Sequence, residues 1–269
     1  MFSGRKIVRF LSDSVSKNSI KSCFINVNDI NLHYVKAGQG PNILLLLPGG
    51  LGTGETHFHK QLENFNPKKY TMIAWDPPGY GLSRPPKRVF DNYPRKDALM
   101  AAKMMKELNY DKYSVLGWSA GATTAIILAA NSGQEAVQKL IVWGGVAFVT
   151  SFEIEQAEKL KNPDNWSKKA IELNEKIYGP EEFRRLAHGL FMFVIQNDDI
   201  CTDDLIRIIC PTLILHGDKD EIISSKQPEF FLKKILNSVL YKFPEGKHDI
   251  HQKFFKEFNS VVEQFLKTK

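Results

Sequence analysis

Five residues constrain this chain more than any others: Gly117-Trp118-Ser119-Ala120-Gly121. An apolar strand-like stretch (Val115, Leu116) leads into them, and a run of small and branched residues (Ala122, Ala125, Ile126, Ile127, Ala129) leads out as a helix. A turn that sharp brings strand and helix so close that side chains at 117 and 121 would collide, so both positions are glycine. The serine between them is held in a strained backbone conformation. Its hydroxyl projects at the end of the strand, above a helix N-terminus that favours developing negative charge. A chance Gly/Ser turn would not be framed by a strand on one side and a tightly packed helix on the other.

The rest of the chain alternates strand-like and helix-like segments, the pattern of a mostly parallel sheet with helices on both faces. Strands are expected at Cys23–Val27, Asn31–Val35, Asn42–Leu47, Thr71–Trp75, Ser114–Gly117, Lys139–Trp143, Thr212–His216 and Val239–Phe243. Asn28-Asp29 joins the first two as a hairpin. Ala101, Met104, Met105 and Leu108 share one helical stripe, as do Phe254, Phe258, Val261, Val262 and Phe265. These stripes read as core faces, not as a cofactor site. Residues 146–210 break the alternation with helical patterns at 154–160 and 166–177, and are expected to form a helical cap over the C-terminal edge of the sheet, where such sheets bind ligands. The core is then 23–145 together with 211–269.

A serine hydroxyl is a weak nucleophile and needs a base, which in turn needs an orienting acid. In the chain order Ser, acid, His, both follow at strand ends. Gly217-Asp218-Lys219-Asp220 follows one strand and Pro244-Glu245-Gly246-Lys247-His248 the next. Asp220 is preferred over Asp218, which reads as a turn residue. His248, in the loop, is preferred over His251, which opens the last helix. The oxyanion hole is expected from the backbone N–H of Ala120 and of Gly50, with Leu51 as the alternative, in the loop Pro48-Gly49-Gly50-Leu51-Gly52. That glycine run lacks the lysine of a P-loop and the spacing of a dinucleotide site. Asp76, in the Pro/Gly turn Asp76–Ser83, is expected to do structural work. His57 and His59 lie two apart, on different sides of a helix, and make a poor metal pair. His33 and His188 read as packing or surface residues.

Six segments, LLLLPGGLGTGETHF (44–58), AWDPPGYGLSRPP (74–86), LGWSAG (116–121), IVWGGVAFVT (141–150), HGDKD (216–220) and PEGKHDIH (244–251), together resemble the valacyclovir hydrolase (biphenyl hydrolase-like) family of α/β hydrolases. The resemblance runs from about residue 24 to the C-terminus. It implies the α/β-hydrolase fold, an eight-stranded and mostly parallel sheet with a helical cap. It also implies hydrolysis of α-amino acid esters, a mitochondrial location, and nucleophile, acid and base at Ser119, Asp220 and His248. The family carries an aspartate directly after the nucleophile, taken to bind the substrate's ammonium group; here the residue is Ala120, and a methyl group attracts no cation. Glu153, Glu155 and Asp198 in the cap are the carboxylates weighed as replacements. Pro78 stands where the family's turn usually has Arg.

The expected activity is therefore a carboxylic ester hydrolase working through an acyl-enzyme, with a small-molecule ester as partner and no metal or cofactor. A carbon–carbon bond hydrolase of the same fold and a non-catalytic binding protein are the rivals. Composition sets further bounds. Hydrophobic residues make up 43% and charged residues 25% of the 269, enough for a sizeable core. Of the net charge of +6, residues 1–22 carry four units, through Arg5, Lys6, Arg9, Lys17 and Lys21 against Asp13. The body lacks a basic patch interleaved with aromatics, so no nucleic-acid partner is expected. The apolar run Ile43–Leu47 is too short to span a bilayer, and no membrane partner is expected. Residues 1–22, basic and serine-rich, resemble a mitochondrial targeting leader; the plainer reading is a basic tail, with a cytoplasmic protein behind it. The three scattered cysteines (23, 201, 210) form neither a disulfide framework nor a metal motif. A monomer is expected.

Overall fold

The computed structural model describes residues 19–133 and 135–268. The leader expected over 1–22 lies outside the described residues for its first eighteen positions. Its last three, Ile20, Lys21 and Ser22, are already strand, so the first strand starts before the composition changes.

All eight expected strands form: β1 (Ile20–Val27), β2 (Ile30–Ala37), β3 (Asn42–Leu47), β4 (Tyr70–Trp75), β5 (Tyr113–Trp118), β6 (Val137–Trp143), β7 (Thr212–Gly217) and β8 (Ser238–Phe243). They make one sheet in the order β1-β2-β4-β3-β5-β6-β7-β8. β2 runs antiparallel to β1 and to β4, and the other pairings are parallel. Asn28 and Asp29, at φ 50° and 61°, turn the β1–β2 hairpin in the left-handed conformation that Asn and Asp tolerate.

Alternation along the central strands separates two apolar layers. Leu45 and Leu47 of β3 with Ile73 and Trp75 of β4 point to one face; Leu44, Leu46, Met72 and Ala74 point to the other. Helices α1 (Gly54–Asn64), α2 (Tyr93–Glu107) and α3 (Ala120–Asn131) follow β3, β4 and β5. Ala101, Met104 and Met105 of α2 and Ala122, Ala125 and Ile126 of α3 pack on the first face. Phe58 and Leu62 of α1 pack on the second.

Between β6 and β7 the chain forms α4 (Ser151–Leu160), α5 (Lys168–Tyr178), α6 (Pro180–Ile195) and the short α7 (Thr202–Leu205). Thr150 and Glu153 close a capping box at the start of α4, and Gly179 at φ 78° breaks α5 from α6. A separate apolar cluster joins this cap to the loops below it, through Phe183, Leu186 and Leu190 against Leu51, Tyr80 and Tyr93. The last part of this segment packs with the core: Leu205, Ile208 and Cys210 join the layer under the sheet. The chain closes with α8 (Lys226–Lys234), α9 (Ile250–Lys253) and α10 (Phe255–Lys267). Phe258 and Val262 of α10 are fully buried beside Phe58 and Trp143, and Phe258 stacks edge-on to Trp143 at 4.7 Å. Replacing Phe258 by Ala is expected to cost about 3–5 kcal/mol of stability, read as a lowered midpoint in denaturant unfolding.

Candidate active site

The parallel strands β3, β5, β6, β7 and β8 are paired in register, so their C-terminal ends share one edge. Five loops leave that edge at Pro48, Ser119, Gly144, Asp218 and Pro244. They carry every residue of the expected site.

Ser119 sits between β5 and α3 at φ 55°, ψ −124°, a conformation that costs a non-glycine residue about 1–3 kcal/mol. Two glycines make it possible. A Cβ on Gly121 would lie 2.1 Å from the Leu47 carbonyl oxygen, and one on Gly117 would lie 2.5 Å from the Gly121 carbonyl oxygen. The Ser119 N–H donates to the Trp143 carbonyl at 2.9 Å, tying the turn to β6. The hydroxyl makes no cap bond to its own helix and lines a cavity of about 740 Å³ between the sheet edge and the cap, within the usual range for small-molecule sites.

Asp220 and His248 meet as a pair, with Nδ1 of the imidazole 2.8 Å from Oδ2 of the carboxylate. The other oxygen of Asp220 accepts from the backbone N–H groups of Ile222 (2.8 Å) and Ile223 (3.0 Å). Burial alone would raise the Asp220 pKa; the imidazole, its hydrogen bond and the two amides outweigh it and hold the acid below its ordinary value. An ionised Asp220 accepts from Nδ1–H, which leaves Nε2 as the basic nitrogen. His248 and Ser119 line the same cavity, with no hydrogen bond yet closed between them, as is common before a substrate sits across such a pair. The rejected alternatives are accounted for. Asp218 is exposed and lies 3.5 Å from Lys242. His251 is fully buried, with Nε2 on the His57 carbonyl (3.0 Å) and Nδ1 accepting from Trp143 (3.1 Å); burial drives its pKa far below the ordinary value.

Gly50, Leu51 and Ala120 all line the cavity. The Ala120 N–H is in the first turn of α3, where no intrahelical acceptor exists. Leu51, at φ 61°, is held by a tyrosine: its carbonyl accepts from Tyr178 Oη at 2.7 Å. Beneath this loop the buried Arg88 pairs with Asp97 through two bonds of 2.8 and 2.6 Å and stacks on Tyr80 and Tyr93.

Three features escaped the sequence reading. Trp118 donates its indole N–H to the His248 carbonyl at 2.9 Å, so the elbow itself anchors the loop of the base. Gly144, at φ 61°, makes room for the ring: a Cβ there would lie 2.6 Å from His248 Cε1. His33 is not partnerless. Its Nδ1 lies 2.9 Å from Asp76 Oδ2 and its Nε2 lies 2.8 Å from Ser22 Oγ. Asp76 also accepts from the N–H of Gly54 and of Leu82. This second Ser-His-Asp set ties the hairpin to the Pro/Gly turn, and none of the three lines the cavity. Asp76 thus does the structural work expected of it. Among the described residues no cluster of three or more metal-ligating side chains occurs, and no helix is long and apolar enough to cross a membrane.

A strained serine at a strand–helix turn, with a paired acid and histidine arriving later in the chain on the same sheet edge, defines a hydrolase of the α/β-hydrolase fold. Comparison with known proteins agrees: residues 42–168 match the family model of the alpha/beta hydrolase fold. The chain is 40% identical over 254 residues to human Serine hydrolase BPHL, covering 92% of this chain and 87% of the human protein. It therefore belongs to the biphenyl hydrolase-like (valacyclovir hydrolase) family of serine hydrolases. A more distant relative, 2-hydroxy-6-oxo-6-(2'-aminophenyl)hexa-2,4-dienoic acid hydrolase of Metapseudomonas resinovorans, is 22% identical over 93% of this chain and 92% of its own. The crystal structure of a serine hydrolase involved in carbazole degradation, CarC, shares the fold at a TM-score of 0.75 and 21% identity, covering 92% of this chain and 99% of that one.

Replacing Gly144 by Ala is expected to push the imidazole out of line. kcat should fall by about tenfold or more, since a small misplacement of a catalytic group is costly. The Asp220→Asn variant, whose amide cannot hold the same tautomer, should lose more. Steady-state kinetics on one ester, with unfolding curves to show that both variants fold, checks this order.

Proposed function

We propose that this chain is a carboxylic ester hydrolase acting through an acyl-enzyme at Ser119. The observation that carries the reading is the 2.8 Å Asp220–His248 pair facing the strained serine across one cavity. His248 Nε2 takes the hydroxyl proton as Ser119 Oγ bonds to the ester carbonyl carbon. The carbonyl oxygen becomes an oxyanion held by the N–H groups of Gly50 and Ala120, each worth on the order of 3 kcal/mol to the transition state. Leu51, in the same loop, is the alternative to Gly50 in this role. Collapse breaks the bond to the alcohol, which leaves with the proton from His248. Water then attacks the acyl-enzyme, with His248 again as base, and releases the acid. Ser119→Ala should lower kcat/KM by about three orders of magnitude or more while leaving the unfolding midpoint in place; an active variant would remove Ser119 from the mechanism.

Carbon–carbon cleavage is the second reading, because the distant relative from Metapseudomonas resinovorans is named as the hydrolase of a hydroxy-oxo-dienoic acid, a substrate with no ester bond to cleave. Turnover of a vinylogous diketone in preference to simple esters would favour it.

None of the three cap carboxylates stands in for the missing aspartate. Glu153 is committed to Thr150 and to the Ser224 N–H, Glu155 pairs with Lys159, and Asp198 is exposed; none of the three lines the cavity. We therefore expect esters of phenylalanine and of 3-phenylpropionate with the same alcohol to be hydrolysed with similar kcat/KM. A strong preference for the phenylalanine ester would show that an ammonium on the acyl group is recognised after all.

A further inference from the structure

The cavity is not alike at its two ends. At the Gly50 end α6 forms the roof: Leu190 Cδ2 is 2.2 Å from where a Cβ on Gly50 would lie. The walls running from there into the cap are mostly apolar, with Leu160, Trp166, Leu173, Ile177 and Phe191, and the polar Gln156, Asn165, Ser167 and Asn174 stand among them.

The end around the base is polar. Lys247 and Asp249 flank His248 in the chain, and Gln252 lies one turn on in α9. His57 stands across Trp118, whose ring is 4.6 Å from the His57 ring and 5.4 Å from that of His248. All four line the cavity. Lys247 is engaged by Glu221 at 3.0 Å. The other three are not engaged. Asp249 makes no cap bond to α9 and pairs with no cation among the described residues. The His57 ring and the Gln252 amide have no hydrogen-bond partner among the described residues, and His57 Nδ1 is buried in that condition. Burial pushes the His57 pKa down to about 3, so the ring is neutral, with one nitrogen an acceptor. A buried polar group without a partner is costly, and a substrate group that satisfies it recovers that cost.

The direction of the reaction decides which part of the ester meets these groups. The leaving alcohol must take its proton from His248, so it occupies the polar end; the acyl group, held near Gly50 and Ala120, extends under Leu190. Resting on the ester-hydrolase reading above, we propose that His57, Asp249 and Gln252 form an alcohol subsite, and that the preferred substrates are esters of an apolar acid with a cationic amino alcohol. The ammonium faces the Asp249 carboxylate, and its N–H is shared with the neutral His57 ring.

An isosteric pair tests this directly: the 2-(dimethylamino)ethyl and 3-methylbutyl esters of 3-phenylpropionate, which differ in one ammonium against one CH. The wild-type protein should favour the cationic ester by about tenfold in kcat/KM, the size of one charge-assisted contact, and mainly through KM. In Asp249→Asn the ratio should fall toward one, and in His57→Phe it should fall in part, with unfolding curves showing that both variants fold. Two results would overturn the subsite while leaving the ester reading intact: a wild-type ratio near or below one, or a tenfold ratio that survives Asp249→Asn. Hydrolysis of neither ester by the wild-type protein would instead count against the ester reading itself.

Discussion

The whole arrangement depends on how closely α3 approaches the ends of β3 and β5. With no side chain at Gly117 or Gly121, the helix begins within van der Waals reach of the Leu47 and Pro48 carbonyls. The chain at Ser119 is then forced to φ 55°. That one strained residue sets three things together: the hydroxyl projects from the sheet, the Ala120 N–H is left without an intrahelical partner, and Trp118 is aimed at the loop of the base. The strain persists because the Ser119–Trp143 backbone bond and the tightly packed α3 over-determine it.

Much of this was legible in the residues. The eight strands announce themselves as short apolar runs between turn signals, and the parallel register of β3, β5, β6, β7 and β8 then brings the loops carrying Gly50, Ser119, Asp220 and His248 to one edge. The choices of Asp220 and His248 over their neighbours followed from loop position, and burial gives them physical content, since Asp218 is solvated and His251 is locked between Trp143 and the His57 carbonyl. What stayed hidden depends on tertiary approach. The start of β1 at Ile20 follows from pairing with Ala37, which a stretch such as Ile20-Lys21-Ser22 does not advertise on an edge strand. Gly144 looks like any turn glycine until the His248 ring is placed beside it. No spacing rule links Ser22, His33 and Asp76.

The carboxylates show the same limit more sharply. Cap acids such as Glu153 are plausible cation binders by composition alone, yet Glu153 is spent holding α4 and the segment after β7 together. Two acids do line the cavity: Glu221, which pairs with Lys247, and Asp249, which adjoins the base in sequence. The cavity wall toward the cap is mostly apolar, and its side toward α1 and α9 carries His57, Asp249 and Gln252.

The central claim is that Ser119 carries the acyl group during turnover. Rapid-quench mass spectrometry of the protein mixed with the p-nitrophenyl ester of 3-phenylpropionate tests it most directly. The account predicts a 3-phenylpropionyl adduct, formed in step with a burst of nitrophenol and mapped to the peptide that contains Ser119. Turnover without any covalent adduct, or an adduct mapped to another residue, would contradict it.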